Sequence, residues 1–141
     1  MASQELSGLL APIVTLVVWT FVIEVWMYKT RIAAFSKMEI KNTITKSELD
    51  ARTPPSVRWK ADNFNHLMEQ PTQFYAIALV LALAGSDGPV DRFLAWSYVA
   101  IRIVHSLVHC TTNVIMRRFS IFVLSSVILA VMTGRAAILV F

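Results

Sequence analysis

The stretch "RIVHSLVHCTTN", residues 102 to 113, sets an arginine, two histidines and an asparagine into otherwise apolar sequence. At about 100° per residue, Arg102, His105, His109 and Asn113 fall within an arc of roughly 80° on one helix face. A second line runs through "RWKADNFNHLMEQPTQF", where the same arithmetic places Arg58, Asp62, Asn65, His66, Glu69 and Gln73 within about 100° of one another. Histidine titrates in the range useful for proton transfer, arginine holds anions, and glutamate accepts from an amino group. Together they suit a polar site that binds an anionic ligand and moves a proton. His105 and His109 at i and i+4, with His66 and Glu69 at i and i+3, also have spacing that could ligate a metal. Arg102 beside them would repel a cation, so no metal is expected.

Such groups need a scaffold, and the composition says which kind. The 141 residues are 56% hydrophobic and 16% charged, and the mean hydropathy is +0.59, which points to a membrane protein of one domain. Four stretches reach the roughly 20 helical residues needed to cross a hydrocarbon core: about 9–28, 57–84, 92–114 and 119–141. The fold class expected is therefore all-α, a four-transmembrane-helix up-down bundle over residues 1–141, with a basic loop at 29–56. Glu5 in place of a basic lead, and the lack of a small-residue cleavage site, argue that the first stretch stays attached as an anchor.

Charge placement orients the bundle. Lys29, Arg31, Lys37, Lys41, Lys46, Arg52, Arg58 and Lys60 lie in or beside the first loop and Arg117 and Arg118 in the third, whereas "GSDGPVD" in the second loop is acidic. By the positive-inside rule both termini face away from the cytoplasm. The net charge of +4 is thus explained by topology and contact with anionic headgroups, and no nucleic-acid partner is expected. Absence of a targeting extension or retention signal makes a bacterial inner membrane the expected location. Trp26, Tyr28, Trp59 and Trp96 fit an aromatic belt. The basic loop has room for a short interfacial helix, and Thr53 before Pro54 and Pro55 could cap the next span. Cys110, the single cysteine, is expected to be buried and inert.

Depth decides which polar groups meet. Counted back from the second loop, Glu69, His105 and His109 share a level on helices of similar tilt, with Arg102 deeper and Asn65, Arg58, Asn113, Arg117 and Arg118 towards the cytoplasmic end. An ionisable group at mid-bilayer costs about 2.5–3.5 kcal/mol, so Glu69 and Arg102 should be paired or face a wet cavity. Pro71 removes the backbone bond to the Leu67 carbonyl and should kink the helix beside Glu69, freeing that carbonyl towards the cavity. Glu24 could pack against Arg117 or wall the site.

The four-span plan, the long basic loop, "NHLMEQPTQFY" and above all "RIVHSLVH" followed by "RRFS" resemble the membrane-associated proteins in eicosanoid and glutathione metabolism, over essentially the whole chain. The resemblance implies a homotrimer with glutathione bound between subunits near the cytoplasmic face. It implies that Arg118 stabilises the thiolate, that Glu69 takes the tripeptide's amino group, and that Arg31, with Arg58 and Lys60, holds its carboxylates. Arg102 and His105 match an arginine-x-x-histidine-x-x-x-tyrosine line, with His109 in place of the tyrosine, and one of the two histidines would donate a proton. Asn65, His66, Asn113 and Arg117 complete the expected cofactor-binding wall. The chain departs from the family pattern at His66, where an asparagine is usual, at Asp62, where an arginine is usual, and at Phe119 and Phe122, which replace a serine and a tyrosine. The activity so implied is glutathione-dependent transfer to hydrophobic electrophiles, or hydroperoxide reduction. The alternative is a non-catalytic accessory or lipid-binding subunit of the same fold, within a larger membrane complex.

Overall fold

The computed structural model describes residues 7–141; Glu5, used above to read the first stretch as an anchor, lies outside them. The described residues form α1 (Leu10–Phe35), α2 (Lys46–Arg52), α3 (Pro55–Leu67), α4 (Pro71–Leu83), α5 (Pro89–Thr111) and α6 (Ile115–Val140), with no strand. Three of these, α1, α5 and α6, are long and apolar enough to cross a membrane. Their outward faces carry Val18, Phe21, Val25, Phe93, Leu124, Val131 and Ile138, all exposed, as lipid-facing helices should. The chain is an integral membrane protein of all-helical architecture.

The stretch expected as one second span kinked at Pro71 is divided there into two helices of 13 residues each, α3 and α4, joined at Met68, Glu69 and Gln70. Pro71 has no N–H to donate, and the chain tightens into i→i+3 bonds around it: Met68 N–H to Asn65 O at 2.9 Å, Glu69 N–H to His66 O at 3.4 Å, Thr72 N–H to Glu69 O at 3.2 Å and Gln73 N–H to Gln70 O at 3.0 Å. The Gln70 side chain pins this break to the neighbouring helices. Its Nε2 donates to Ser126 Oγ at 2.7 Å, and its Oε1 accepts from Tyr98 OH and from Ser125 Oγ, each at 3.3 Å.

Two other expectations need correction. Helix α1 continues past Tyr28 to Phe35, so Lys29 and Arg31 are helical, because Ala33 and Ala34 favour helix and no breaker precedes Ser36. Thr53 does not cap α3. It closes α2, its Oγ1 donating to Leu49 O at 2.7 Å, while Pro54 and Pro55 begin α3. The short helix expected in the basic loop is α2, opened by a capping box in which Glu48 N–H donates to Thr45 Oγ1 and Thr45 N–H to Glu48 Oε2. Acceptance of that backbone N–H holds the Glu48 carboxyl below its ordinary range.

Packing differs between the two ends. Around α4 the core is continuous and apolar: Leu9, Leu16, Phe74, Ala78, Leu81, Ala95, Tyr98, Val99, Leu129, Met132 and Ala136, with the Phe74 and Tyr98 rings stacked at 4.4 Å. Around α3 the buried apolar cluster shrinks to Ile23, Leu67 and Cys110, backed by Trp19, Trp26 and Phe64. Polar side chains fill the remaining interior at that end.

The second loop is fastened. Buried Asp91 accepts from Arg135 Nε at 2.5 Å, from Arg135 Nη2 at 3.0 Å and from Ser86 Oγ at 2.7 Å. Asp87 accepts from Gly8 N–H at 2.8 Å and from Arg92 Nε at 2.8 Å, so its carboxyl lies below the usual range. A Cβ at Gly8 would come within 2.6 Å of Arg92 Nε, so a larger residue there would push the Arg92 side chain from its place beside Asp87. Acidic residues read as a topology signal are therefore also the fastening of the loop.

Candidate functional site

The α5 line survives as expected: Arg102, His105 and His109 are all buried, and Asn113 ends the line just past the helix. The α3 line does not meet it whole. Asp62, Asn65 and Gln73 are exposed, and the face of α3 turned inward carries Lys60, Ala61, Asn63 and Leu67. Only His66 reaches across, its ring centroid 5.0 Å from that of His105 and 6.2 Å from that of His109, with His105 and His109 5.8 Å apart.

Glu69 arrives indirectly. Its side chain is 68% exposed, and Oε2 accepts from His66 Nδ1 at 3.0 Å. A carboxylate only accepts, so Nδ1 carries the proton and His66 Nε2 is left as the ring's acceptor in the neutral form. The carbonyl used near the break is that of His66, which accepts from Arg102 Nη2 at 3.4 Å; it is one residue before the Leu67 carbonyl expected from Pro71.

Arg118 is brought in by the turn between α5 and α6. Asn113 adopts φ 48°, a left-handed conformation that asparagine tolerates better than most residues, and the chain reverses so that the first turn of α6 lies over the end of α5. Arg118 Nη1 then donates to Asn113 Oδ1 and to His109 Nε2, each at 2.8 Å. Guanidinium cannot accept, so His109 carries its proton on Nδ1 in this contact. Nε and Nη2 of Arg118 make no hydrogen bond among the described residues. One turn further on, Phe122 covers the cluster, 5.2 Å from the His66 ring and 5.7 Å from the Arg102 guanidinium.

Two clefts open on either side of His66 and Arg118. One, about 210 Å³, is walled by His105, Ile115, Phe119 and Phe122 as well as those two residues. The other, about 260 Å³, adds Asp62, Glu69 and His109. The first is mainly apolar and the second mainly polar, so the shared wall of His66 and Arg118 stands between an oily chamber and a wet one. Arg102 is wholly buried, with Nε and Nη1 lacking hydrogen-bond partners, and no carboxylate among the described residues pairs with it. A buried guanidinium without a counter-ion, beside a second with free donors, is suited to an anionic ligand.

Other expected site residues lie apart within the single chain. The Arg31 guanidinium covers the Phe35 ring at 5.5 Å, Arg58 Nη1 donates to Asp50 O at 3.1 Å, and Lys60 Nζ donates to Ser56 O at 2.6 Å and lies over the Trp26 ring. Arg117 is exposed, and Glu24 lines a separate groove with Thr20 and Tyr75. No group of three or more His, Cys, Asp or Glu side chains among the described residues is set to hold a metal ion, and Arg118 already sits at His109 Nε2. Sequence reasoning missed Gln70, and it noted Phe122 only as the replacement of a family tyrosine, not as the cover of the cluster. A glutamine directly before Pro71 was the available signal for the first; Phe122, four residues beyond Arg118 and so on the same face, for the second.

No curated protein and no solved structure matches the chain. A sequence model of the MAPEG family does, over residues 9–138, a span that takes in every site residue described above and both ends of the helical array. On that match, which covers nearly the whole chain, the chain belongs to the MAPEG family.

Proposed function

We propose that this chain is a membrane-embedded, glutathione-dependent transferase or peroxidase for hydrophobic electrophiles, working as a homotrimer of four-span subunits. The observation that carries this reading is Arg118: Nη1 is fixed by His109 and Asn113, while Nε and Nη2 are left free at the wall shared by both clefts. A fixed guanidinium favours a thiolate over a thiol, and the anion is the nucleophile. The apolar cleft at Phe119 and Phe122 admits an electrophile from the lipid side, and the polar cleft at Glu69 suits the amino group of the tripeptide. Arg102 supplies further positive charge beneath the cluster.

Arg31, Arg58 and Lys60 are turned to partners of their own, Phe35, the Asp50 carbonyl and the Ser56 carbonyl, and neither they nor Arg117 line the two clefts at Arg118. In the proposed trimer a neighbouring copy contributes cations of this kind, and the exposed Arg117 is placed to serve a site between subunits. Both termini face away from the cytoplasm, and the membrane is the bacterial inner membrane.

Titration of the detergent-purified protein with glutathione, followed by thiolate absorbance, tests the reading. A saturable signal at neutral pH that disappears in Arg118→Ala while the oligomer persists is the expected result. No signal at millimolar thiol overturns it and favours a non-catalytic accessory role. For that second reading the specific observation is that Arg58 and Lys60, two of the cations expected to grip carboxylates, are engaged within their own chain.

A further inference from the structure

Three histidines meet in the cluster, and their surroundings differ. His109 Nε2 already accepts from Arg118, and its Nδ1 is buried. His105 is 1% exposed with Nδ1 unpartnered, and it borders only the apolar cleft. His66 borders both clefts, its side chain is 25% exposed, and Glu69 fixes its tautomer so that Nε2 is the acceptor.

We propose that His66, steered by Glu69, is the base that takes the proton of the thiol held at Arg118, and the acid that returns it. This rests on the glutathione reading above and goes beyond it, because Arg118 stabilises the anion but can neither take the proton nor return it. The carboxylate-histidine pair spans 3.0 Å, and the ring shares both cleft walls with Arg118. From other elements Arg102, His105 and His109 of α5 and Arg118 of α6 face the ring, and Asp62 lies one turn before it on α3. Glu69 is thus the carboxylate bonded to His66, and it faces solvent on its other side.

The step balances without a further reactant for electrophiles that add a thiol and lose no group. His66 Nε2 takes the proton as the S–H bond breaks, and the electron pair stays on sulfur beside Arg118. A C–S bond then forms to an activated alkene or a strained epoxide carbon. The C=C or C–O pair moves to the neighbouring carbon or oxygen, which takes the proton back from His66 Nε2. The substrate class expected is therefore lipophilic α,β-unsaturated carbonyls and epoxides.

The test is rapid mixing of the intact oligomer with glutathione in weakly buffered micelles, reading thiolate absorbance and a pH-indicator dye together. In the wild type, thiolate forms at neutral pH with no proton delivered to the medium. In His66→Asn, thiolate formation slows by about 10²-fold and the thiol proton appears in the medium. Glu69→Gln lies between, measured at saturating glutathione. Binding of S-methylglutathione, which has no thiol proton, is retained in His66→Asn. If His66→Asn matches the wild type in rate and proton release, the assignment of His66 falls and the glutathione reading stands. Loss of S-methylglutathione binding in that variant gives His66 a structural role and overturns the proposal. No thiolate in the wild type overturns both.

Discussion

Arg102 offers a measurement in which the sign decides between function and architecture. The side chain is wholly buried, its best polar contact is a 3.4 Å hydrogen bond to the His66 carbonyl, and its guanidinium lies 5.7 Å from the Phe122 ring centre. Placing arginine at mid-membrane depth costs about 2.5–3.5 kcal/mol. A desolvated cation–π contact offsets about 1–2 kcal/mol of this, and one long hydrogen bond about 0.5 kcal/mol. Without ligand, Arg102 should therefore destabilise the fold by about 1 kcal/mol relative to an apolar chain of similar length. Arg102→Met is expected to unfold at a higher dodecyl sulfate fraction in mixed micelles, with the folding equilibrium shifted about fivefold towards the native state. The stabilisation that glutathione gives the wild type, which grows with ligand concentration, should be lost in the same variant. If Arg102→Met instead weakens the ligand-free protein by about 3 kcal/mol, the guanidinium is part of a buried polar framework, and its placement says nothing about an anion.

Asn113→Ala should cost about 1–2 kcal/mol from its left-handed backbone, plus about 1 kcal/mol for the lost Arg118 acceptor, whereas Asn113→Gly loses only the second; equilibrium unfolding separates them, and both should lower the thiolate yield equally. Gln70→Ala removes three hydrogen bonds to α5 and α6 and should cost about 1–2 kcal/mol at the roughly 0.6 kcal/mol typical of each such bond in a membrane, read in the same unfolding assay. The tether between Gly8 and Asp87 has a definite pH window. Because the folded Asp87 carboxyl titrates below its ordinary value of about 3.9, the stabilisation is present above that value and is lost as pH falls through the lower folded one. The Gly8 amide resonance should follow that titration and cease to do so in Asp87→Asn. Cys110, 1% exposed among Ile23 and Leu67, should resist a maleimide in the folded protein and react once it is unfolded.

The α5 line is legible from spacing because α5 is one uninterrupted helix, and an unbroken 3.6-residue period carries a face along its whole length. Spacing misleads on the α3 line for the same reason in reverse. Extending one period through Pro71 places Gln73 on the inner face, but the tightened turn at Met68–Gln70 rephases the helix beyond it, so Gln73 faces outward and Gln70 turns in. Before the break, polarity misleads: Asn65 has the character of a site residue and is exposed, while Asn63, two residues away, is fully buried against α5 and α1. The contact of Arg118 with His109 could not be found from periodicity at all. It depends on the reversal at Asn113, which joins two helices whose relative rotation no single-helix pattern encodes.

The two ends of the α5–α6 pair are each held by an arginine: Arg135 on Asp91 at one, Arg118 on His109 and Asn113 at the other. A pair fastened top and bottom, with a reversal of only a few residues, has the form of a helical hairpin that can enter the bilayer as one piece during synthesis. On that account the partnership of Asp91 and Arg135 matters most at birth, when neither charge could cross lipid alone at low cost, and little during turnover. Asp91→Asn should then reduce the yield of inserted protein far more than the activity of whatever fraction arrives.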